Sequence, residues 1–409
     1  MLFVNMPGAA QARRHVDVQG HYDTGLIIAA VALACLGIVM VGSSSVAVAS
    51  GQKIGEFYYL KRHLVFVALG LGFAVAVAKK LELQWLQRNA SWLLLLGAAL
   101  LLLVFIPGVG ARINGARRWL HFGPFGFQPV EAVKLLLIAY MAGYLVRQKD
   151  NLQLRVSGVL KPLGVAGIFV VLLLAQPDFG SSTLILAVTL GMVWLGGGRL
   201  RNLMLLAFPT LPILAWVALF EEYRIRRLTS FLNPWADPYN DGFQLTQALI
   251  AVGRGEWFGV GLGGSVQKLF YLPMAHTDFI MAVIAEELGL AGVITVLALY
   301  GWLAARGFII GARGVNIGHK FAGFVAFGIT LMISLQALVS IGVNLGVLPT
   351  KGLTLPLISS GGSSVMMTCV AIGLLARCSY EISLAEALAA ATPPAAATMM
   401  TTPVELVRR

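Results

Sequence analysis

The sequence predicts an all-α polytopic membrane protein with about ten transmembrane helices, both termini in the cytoplasm, and one large outer loop, residues 221–278, between the seventh and eighth spans. Of the 409 residues, 58% are hydrophobic and only 12% are charged, which is outside the range of soluble domains. The apolar residues also gather in runs of about 20, the length of helix that crosses a hydrocarbon core of about 30 Å. Because a backbone in lipid must satisfy its own hydrogen bonds, these runs are predicted to be helices.

Ten segments have the length and composition of membrane spans. The fifth and sixth are short and are separated only by Pro177-Asp178-Phe179-Gly180, so they are predicted to form a tight helical hairpin. Pro209 and Pro212 should kink the seventh span, which makes it the candidate for a mobile element. The predicted spans are 24–46, 60–78, 91–107, 128–146, 162–177, 181–197, 203–220, 278–304, 321–347 and 363–380.

The two ends of the chain differ from the apolar body between them. Residues 1–23 lack the apolar core and cleavage site of a signal peptide, so we expect an uncleaved cytoplasmic segment. Residues 24–380 are predicted to form one ten-helix transmembrane domain. Residues 381–409 are predicted to be a cytoplasmic tail, and its composition, rich in Ala, Thr, Pro and Met, indicates disorder.

The Lys and Arg residues predict the orientation, because positive residues next to the spans are retained in the cytoplasm. The net charge of +12 is spread singly between apolar runs, which favours topology and contact with anionic membrane lipids over nucleic-acid binding. Some arginines persist on the outer side, where they either bind an anionic group or reach lipid headgroups. These are Arg62, Arg112, Arg117, Arg118 and those of the 221–278 loop.

Ionisable residues inside or beside a span are costly and are therefore candidates for function. Glu131 and Lys134 share a face of the fourth span and favour a structural ion pair. Glu286 and Glu287 lie about two turns into the eighth span, where either a structural or a functional role fits them. Asp278 stands at the outer end of the same span, where a carboxylate is often only a helix cap.

Three polar regions fall on the outer side in this topology. The 221–278 loop is rich in glycine and should form a compact cap over the outer mouth of the bundle. Its Gly259–Gly264 stretch lacks the strand and helix of a dinucleotide site. The stretch Pro349–Ser364 carries Lys351, which either binds a phosphate group or is merely solvated. The third region, Gly110–Trp119, carries three arginines that could meet an anionic headgroup.

Five short motifs together resemble the SEDS family (shape, elongation, division and sporulation), and most closely its members that act in cell division. The resemblance covers roughly positions 24 to 380, with the motifs in the family's order. The motifs are Gly115-Ala116-Arg117-Arg118-Trp119, Gln176-Pro177-Asp178-Phe179-Gly180, Ala275-His276-Thr277-Asp278-Phe279-Ile280, Ala285-Glu286-Glu287-Leu288-Gly289 and Leu348-Pro349-Thr350-Lys351-Gly352-Leu353-Thr354-Leu355-Pro356.

The resemblance implies a peptidoglycan glycosyltransferase that polymerises the lipid-linked disaccharide lipid II. It implies a multi-pass protein of the bacterial inner membrane at the division septum, with its active site on the periplasmic face. It also implies that Asp278 is the catalytic residue. The residues expected to bind substrate are Lys351, Arg226, Arg227, Arg112, Arg117, Arg118, His276, Glu286, Ser359 and Ser363.

The expected reaction is displacement at the anomeric carbon of the growing glycan by the sugar 4-hydroxyl of another lipid II, which releases undecaprenyl pyrophosphate. Asp278 would act as the base, and the outer cations would stabilise the leaving pyrophosphate. The resemblance also implies a divalent cation, Mg²⁺ or Mn²⁺, for which Asp278 is a candidate ligand. No residues are predicted to bind any other cofactor.

The expected protein partners are a class B penicillin-binding transpeptidase, which cross-links the glycan, and the division regulatory complex. Two other functions remain open. A lipid II flippase is compatible with ten helices, a kinked seventh span and the intramembrane residues Glu131, Lys134 and Glu286. A non-catalytic division scaffold would leave the concentration of polar motifs on one outer face unexplained.

Overall fold

The computed structural model describes residues 19–391, with gaps at 52, 54, 114–115, 123–124, 206–207, 209–221 and 270. Helices dominate this part of the chain. We use "outer end" for the end of the bundle that carries Asp278, following the predicted orientation. The helices are α1 Thr24–Gly51, α2 Tyr58–Lys80, α3 Leu83–Leu103, α4 Pro129–Arg147, α5 Lys149–Leu154, α6 Val156–Ala175, α7 Phe179–Leu195, α8 Glu222–Leu232, α9 Phe243–Arg254, α10 Ile280–Asn316, α11 Lys320–Asn344 and α12 Ser363–Ala391.

Eight of the described helices are long and apolar enough to cross a membrane, namely α1, α2, α3, α4, α6, α10, α11 and α12. Helix α7 is also apolar but has only 17 residues. Nine of the ten predicted spans fall on these nine helices, and the fifth and sixth form the predicted hairpin as α6 and α7. The seventh predicted span, 203–220, and its proline kink lie largely outside the described residues. The fold class of a polytopic α-helical membrane protein is confirmed.

The helices differ in how deeply they are buried, and this difference locates the centre of the bundle. The apolar window of α4 is 78% buried and that of α11 is 72% buried, whereas the window of α2 is only 22% buried. Helices α4 and α11 therefore form the centre, and α2 turns most of its apolar surface outward. The main packed pairs are α10 with α11, α2 with α12, α3 with α4, α1 with α10, and α6 with α7.

Helix α10 is two helices joined at Gly289, whose φ of 67° and ψ of −163° are not helical. The break leaves backbone groups on both sides without their usual partners four residues away. The outer loop supplies replacements. The amides of Val260 and Gly261 donate to the carbonyls of Glu286 and Glu287, at 3.0 and 3.1 Å. On the other side of the break, the amides of Leu290 and Ala291 donate to the carbonyls of Glu256 and Trp257, at 2.9 and 3.1 Å.

The predicted outer cap thus completes the backbone hydrogen bonding of α10, so it is bound to this helix and does not lie loosely above it. The cap contains α8, a short 3-10 turn at Pro234–Ala236, and α9. Helix α9 is followed by the segment 256–261, which bonds to α10 at its break. Gly259, with φ of +79°, passes so close to α10 that an added Cβ would lie 2.1 Å from the Glu287 carbonyl oxygen. Only glycine fits at such a position.

A small antiparallel sheet, which the all-α prediction did not include, lies between α3 and α4. Its strands are β1 Gly110–Ile113, β2 Ala116–Phe122 and β3 Phe125–Phe127, in the order β1-β2-β3. The register between β1 and β2 shifts between Ala111 and Arg112, so a bulge interrupts the pairing. The aromatic residues of β2 and β3 favour strands, but the segment is too short and irregular to show clear alternation in sequence.

The other end of the bundle is held by ion pairs between helix ends. Arg306 Nε donates to Asp23 Oδ1 at 3.0 Å, which joins α10 to the start of α1. Arg313 likewise pairs with Glu386 on α12. Helix α12 therefore continues to Ala391, and the predicted boundary at 380 comes too early, because Glu386 anchors the helix beyond it. The expected terminal segments 1–18 and 392–409 lie outside the described residues.

Candidate active site

The site is built around Asp278, which comes two residues before α10 begins. Asp278 is not the cap of this helix, because the cap position is Phe279 and it makes no side-chain capping bond. The carboxylate faces the loop between α11 and α12 instead. A Cβ added to Gly352 would lie 3.2 Å from Asp278 Oδ2. The two outer motifs that carry Asp278 and Lys351 therefore meet.

Just before α10, the backbone carbonyl groups of His276, Thr277 and Asp278 each accept a hydrogen bond. Asn344 Nδ2, at the outer end of α11, donates to the Asp278 carbonyl at 2.8 Å. Ser359 Oγ donates to the Thr277 carbonyl at 2.6 Å, and the Ser360 amide donates to the His276 carbonyl at 3.0 Å. Asn344 Oδ1 also accepts from the Ala282 amide at 3.0 Å, inside the first turn of α10. These bonds fix the backbone that presents the Asp278 side chain.

The serines expected to bind substrate serve this framework. Ser359 is fully buried, and its hydroxyl also accepts from the Leu355 amide at 2.8 Å. Ser363 is buried and accepts from the Gln128 amide at 3.2 Å, which ties the start of α12 to α4. In this structure the hydroxyl groups of Ser359 and Ser363 are buried and hydrogen-bonded to the backbone, and direct substrate binding by these serines stays a prediction.

Three cations border the same region from three different elements. Arg227 of α8 donates from NH1 to the Thr350 carbonyl at 3.1 Å. Lys351 Nζ lies 4.8 Å from the centre of the Phe179 ring, at the start of α7. Arg118 of β2 donates from Nε to the Gln176 carbonyl at 3.1 Å and from NH2 to the Pro177 carbonyl.

The electrostatics of the site follow from burial and from two of these cations. Burial raises the pKa of Asp278 to about 6, and the nearby charges of Arg227 and Arg118 limit the rise. Burial lowers the pKa of Lys351 and of His276. A carboxylate whose pKa lies near neutrality suits a general base, since it exchanges protons close to the working pH.

The other predicted arginines lie at the edge of this region. Arg112 and Arg117 are partners across β1 and β2, and both are exposed. Arg226 is exposed on α8, one position before Arg227. The rings of His276 and Tyr59 are in contact, with their centres 4.8 Å apart, and among the described residues the buried Nδ1 of His276 has no hydrogen-bond partner. The structure thus brings Arg118 and Arg227 close enough to Asp278 to affect its pKa, and brings the loop that carries Lys351 to Asp278 at Gly352. Arg112, Arg117 and Arg226 are left on the surface beside this region.

Glu286 was also expected to bind substrate, which stays a prediction, and in this structure its side chain contacts the outer loop. Its side chain is fully buried and is bound by the outer loop. The Ser265 hydroxyl and the Val266 amide donate to it, the latter at 3.0 Å, and Arg254 NH1 lies 3.3 Å away. A carboxylate bound in this way holds the outer loop to α10.

Glu287 has a similar structural role. It accepts from Lys268 Nζ at 2.6 Å and from the Ser43 hydroxyl of α1 at 2.7 Å. Lys268 is itself buried and also donates to the Ser43 hydroxyl at 2.9 Å. The sequence did not single out Lys268, because nothing in its local pattern separates it from a solvated loop lysine.

A second buried network connects α4 to the loop that carries Lys351. Glu131 and Lys134 form the predicted ion pair, with Oε2 and Nζ 2.9 Å apart. Lys134 also donates to Gln336 Oε1 of α11 at 2.8 Å, and Gln336 Nε2 donates to the Thr354 carbonyl at 3.0 Å. The Glu131–Lys134 ion pair inside the membrane thus helps, through Gln336, to hold the loop that carries Lys351.

In the described part of the chain, no group of three or more His, Cys, Asp or Glu side chains could hold a metal ion. Asp278 could supply a single oxygen ligand. Mg²⁺ is often bound by one or two carboxylates together with substrate phosphates, so this site fits such an ion only when a phosphate ligand completes it.

The fold and the site define a class, namely polytopic membrane proteins that present a titratable carboxylate and several cations at one end of a helical bundle. The family model FTSW_RODA_SPOVE, described as "Cell cycle protein", matches residues 24–384, and the chain belongs to this family, which is the SEDS family expected from the sequence.

Relatives with assigned names agree with this placement. A "Probable peptidoglycan glycosyltransferase FtsW" of Xanthomonas oryzae pv. oryzae is 52% identical over 385 residues, which cover 94% of this chain and 78% of that protein. A protein with the same name from Nitrosococcus halophilus is 51% identical over 359 residues, covering 88% of this chain and 92% of the relative.

Solved structures share the fold. One is described as "Structural coordination of polymerization and crosslinking by a peptidoglycan synthase complex"; its matching chain has a TM-score of 0.74 and 32% identity, and the match covers 88% of this chain and 98% of that one. The rod shape determining protein RodA of Thermus thermophilus has a TM-score of 0.64 and 29% identity, covering 87% of this chain and 96% of its own.

Proposed function

We propose that this chain is a peptidoglycan glycosyltransferase that polymerises lipid II, with Asp278 as its catalytic residue. The observation that carries the proposal is the meeting of Asp278 with the Lys351 loop at Gly352, beside Arg118 and Arg227. The names of the relatives, which are about half identical to this chain, support the same reaction.

The proposed reaction joins two lipid-linked glycans. The 4-hydroxyl oxygen of the acceptor sugar forms a bond to the anomeric carbon of the donor, and the bond from that carbon to the pyrophosphate breaks. The hydroxyl proton passes to the Asp278 carboxylate, which is mostly ionised at neutral pH since its pKa is about 6. The bonding electrons leave with undecaprenyl pyrophosphate.

The cations of the site act on the leaving group. Lys351, Arg227 and Arg118 stabilise the negative charge that develops on the pyrophosphate, and they are held in place by the Phe179 ring and by backbone carbonyls. A divalent cation, if it binds, would add positive charge at the phosphate oxygens; Asp278 would then serve as its ligand instead of as the base.

We further propose where the enzyme works and with which partners. The charge pattern supports an active site on the periplasmic face of a bacterial inner membrane. A class B penicillin-binding transpeptidase fits as a partner, since one solved relative belongs to a complex that coordinates polymerization and crosslinking. The description "Cell cycle protein" of the family and the name FtsW of the relatives support the septum as the site of action and the division regulatory complex as a further partner.

The test is polymerisation of lipid II by purified Asp278→Asn protein in membrane vesicles. We expect a rate loss of about 10²–10⁴-fold, the usual contribution of a general base, with lipid II binding retained. The matched control is Asp241→Asn, which removes an exposed carboxylate of the same outer loop and should leave the rate unchanged. Unchanged polymerisation by Asp278→Asn would remove this residue from the mechanism. Transport of labelled lipid II without glycan growth in the native protein would favour the flippase instead.

A further inference from the structure

The side-chain amide of Asn344, at the end of α11, lies between two backbone groups at the start of α10. Its Nδ2 donates to the Asp278 carbonyl at 2.8 Å, and its Oδ1 accepts from the Ala282 amide at 3.0 Å. Asp278 and Ala282 are four residues apart, so in a continuous α-helix this carbonyl and this amide would bond to each other. The Asn344 amide takes the place of that bond, and α10 begins only at Ile280.

The Asn344 side chain is held in one orientation. It is fully buried, and its Nδ2 also donates to the Ser340 carbonyl of its own helix at 2.8 Å. A reversed amide would place its oxygen against the carbonyls of Ser340 and Asp278 and its NH2 group against the Ala282 amide. The observed orientation therefore follows from three hydrogen bonds that the reversed one does not make.

Helix α7, which starts at the same end of the bundle, shows what an aspartate does where the backbone bond is made. The Ser182 amide donates to the Asp178 carbonyl at 3.2 Å, and Asp178 is the cap residue of α7. Its carboxylate accepts from the Ser181 amide at 3.2 Å and from the Ser181 hydroxyl at 2.8 Å. This is the ordinary capping role of an aspartate. A carboxylate bound in this way has fewer lone pairs for a substrate proton.

Asp278 would take the same role if α10 began one residue earlier. In a helix that began at Phe279, Asp278 would be the cap residue, and its carbonyl would accept from the Ala282 amide. Its carboxylate would then accept from the second or third amide of the longer helix, as the Asp178 carboxylate does in α7. In the structure the Asp278 carboxylate lies towards Gly352 instead.

We propose that Asn344 is a positioning residue for glycosyl transfer: it replaces the hydrogen bond between Asp278 and Ala282, stops α10 at Ile280, and so keeps the Asp278 carboxylate from capping the helix. The proposal rests on the proposed function, since it needs Asp278 to be the base. Asn344 acts only through Asp278. Without its side chain, α10 extends by one residue and the carboxylate turns from Gly352 to the helix amides.

The test is lipid II polymerisation by the purified full chain with Asn344→Ala, in membrane vesicles from pH 5 to 8. We expect kcat to fall about 10–100-fold, the cost of moving a catalytic group by about 1 Å, and KM to stay within about twofold. The pH of half-maximal rate should fall by about half a unit to one unit, because helix amides favour the ionised carboxylate. The ionisable groups near this carboxylate are the same in both proteins, namely His276, Arg118, Arg227 and Lys351.

The control is Asn202→Ala, which removes a buried asparagine at the opposite end of the bundle and should change neither kcat nor the pH midpoint. A loss of kcat in Asn344→Ala without a downward move of the midpoint would mean that Asn344 only packs α11 against α10, and would overturn the proposal. A native kcat would overturn it as well. Where Asn344→Ala does not elute as folded protein, Asn344→Ser gives the same comparison, because its side chain is too short to bridge the two backbone groups.

A double substitution provides the second measurement. Gly352→Ala crowds the Asp278 carboxylate, so it should lower kcat only while the carboxylate lies there. In the Asn344→Ala background we expect Gly352→Ala to lower kcat by less than about twofold, so the two losses are not additive. Additive losses would mean that the carboxylate has not turned away, which contradicts the proposal.

The positioning role and the proposed function fail separately. A native rate in Asp278→Asn would refute the catalytic role of Asp278, on which this inference depends. A large loss in Asp278→Asn together with a native kcat in Asn344→Ala would leave the proposed function standing and refute the positioning role alone.

Discussion

At the scale of single residues, the carboxylates of Asp278 and Glu286, eight positions apart, differ in their hydrogen bonding. The Glu286 side chain is fully buried and accepts from a hydroxyl, an amide and a guanidinium. For the Asp278 carboxylate, no hydrogen bond is found among the described residues, and only its backbone carbonyl is bound. A saturated carboxylate is a structural anchor, whereas one with free lone pairs can take a proton from a substrate.

The pH dependence of the rate follows from this difference. Because burial raises the pKa of Asp278 to about 6, the carboxylate gains its proton below that pH and can no longer act as a base. We expect the rate of glycan synthesis to rise with pH and to reach half its maximum near pH 6. Arg227→Gln should move this midpoint upward, since Arg227 opposes the effect of burial. Rate profiles from pH 5 to 8 measure both, and a flat native profile would contradict the role of Asp278.

Loss of the Asp278 proton, which increases the rate, decreases the stability of the folded protein. The folded protein holds the Asp278 proton up to about pH 6, whereas the unfolded chain releases it near 3.8. Its stabilising contribution is therefore complete below pH 3.8 and is lost as the pH rises through 6. At pH 7.5 the Asp278→Asn protein should melt at or above the native temperature in detergent, so a lower melting temperature would show that the variant disturbs the fold.

Gly352 provides a second prediction at this scale. A Cβ at this position would lie 3.2 Å from Asp278 Oδ2, which is tighter than an ordinary contact, so Gly352→Ala should push the carboxylate aside. We expect kcat to fall about tenfold or more, since a displacement of about 1 Å at a catalytic group can cost 100-fold. Gly55→Ala is the control, because an added Cβ there meets nothing within 4 Å. Equal kcat values in the two variants would show that the site tolerates the methyl group.

At the scale of elements, the outer loop and α10 form one unit. The Lys268–Glu287 pair is buried, so removing one member should leave an uncompensated charge and destabilise the protein by about 3–5 kcal/mol. Lys268→Met should therefore lower the melting temperature strongly, and Lys268→Met with Glu287→Gln should recover part of the loss. The partly exposed Arg313–Glu386 pair is the comparison, where Arg313→Gln should cost about 0–1 kcal/mol. Equal losses at the two pairs would contradict this reading.

The sequence predicted the spans well because hydropathy reports directly on burial in lipid. It also placed Asp278 and Lys351 on one side. Three features escaped it for physical reasons. The sheet at 110–127 is short and irregular, the break at Gly289 looks like ordinary helix in a hydropathy pattern, and the roles of Ser359 and Glu286 depend on partners distant in the chain. Such long-range hydrogen bonds have no local signature.

At the scale of the whole molecule, the orientation can be tested directly. In a background without the native cysteines, Tyr239→Cys on the outer loop should react with a membrane-impermeant maleimide in spheroplasts. His319→Cys, in the turn between α10 and α11, should react only after permeabilisation, because the Lys and Arg pattern places this turn in the cytoplasm. Both positions are exposed, so a reversed result would reverse the orientation.

The break in α10 has a practical consequence for anyone who inserts a tag or reporter into this protein. A long loop is normally the safest place for an insertion, since few backbone bonds depend on it. Here the segment 256–261 completes the hydrogen bonding of a membrane helix, so lengthening it would unpair backbone groups inside the bundle. The turn at Asp237–Asn240, in the same loop, is exposed at Tyr239 and Asn240 and makes no backbone hydrogen bond to α10 among the described residues. It is therefore the better site for a fluorescent label.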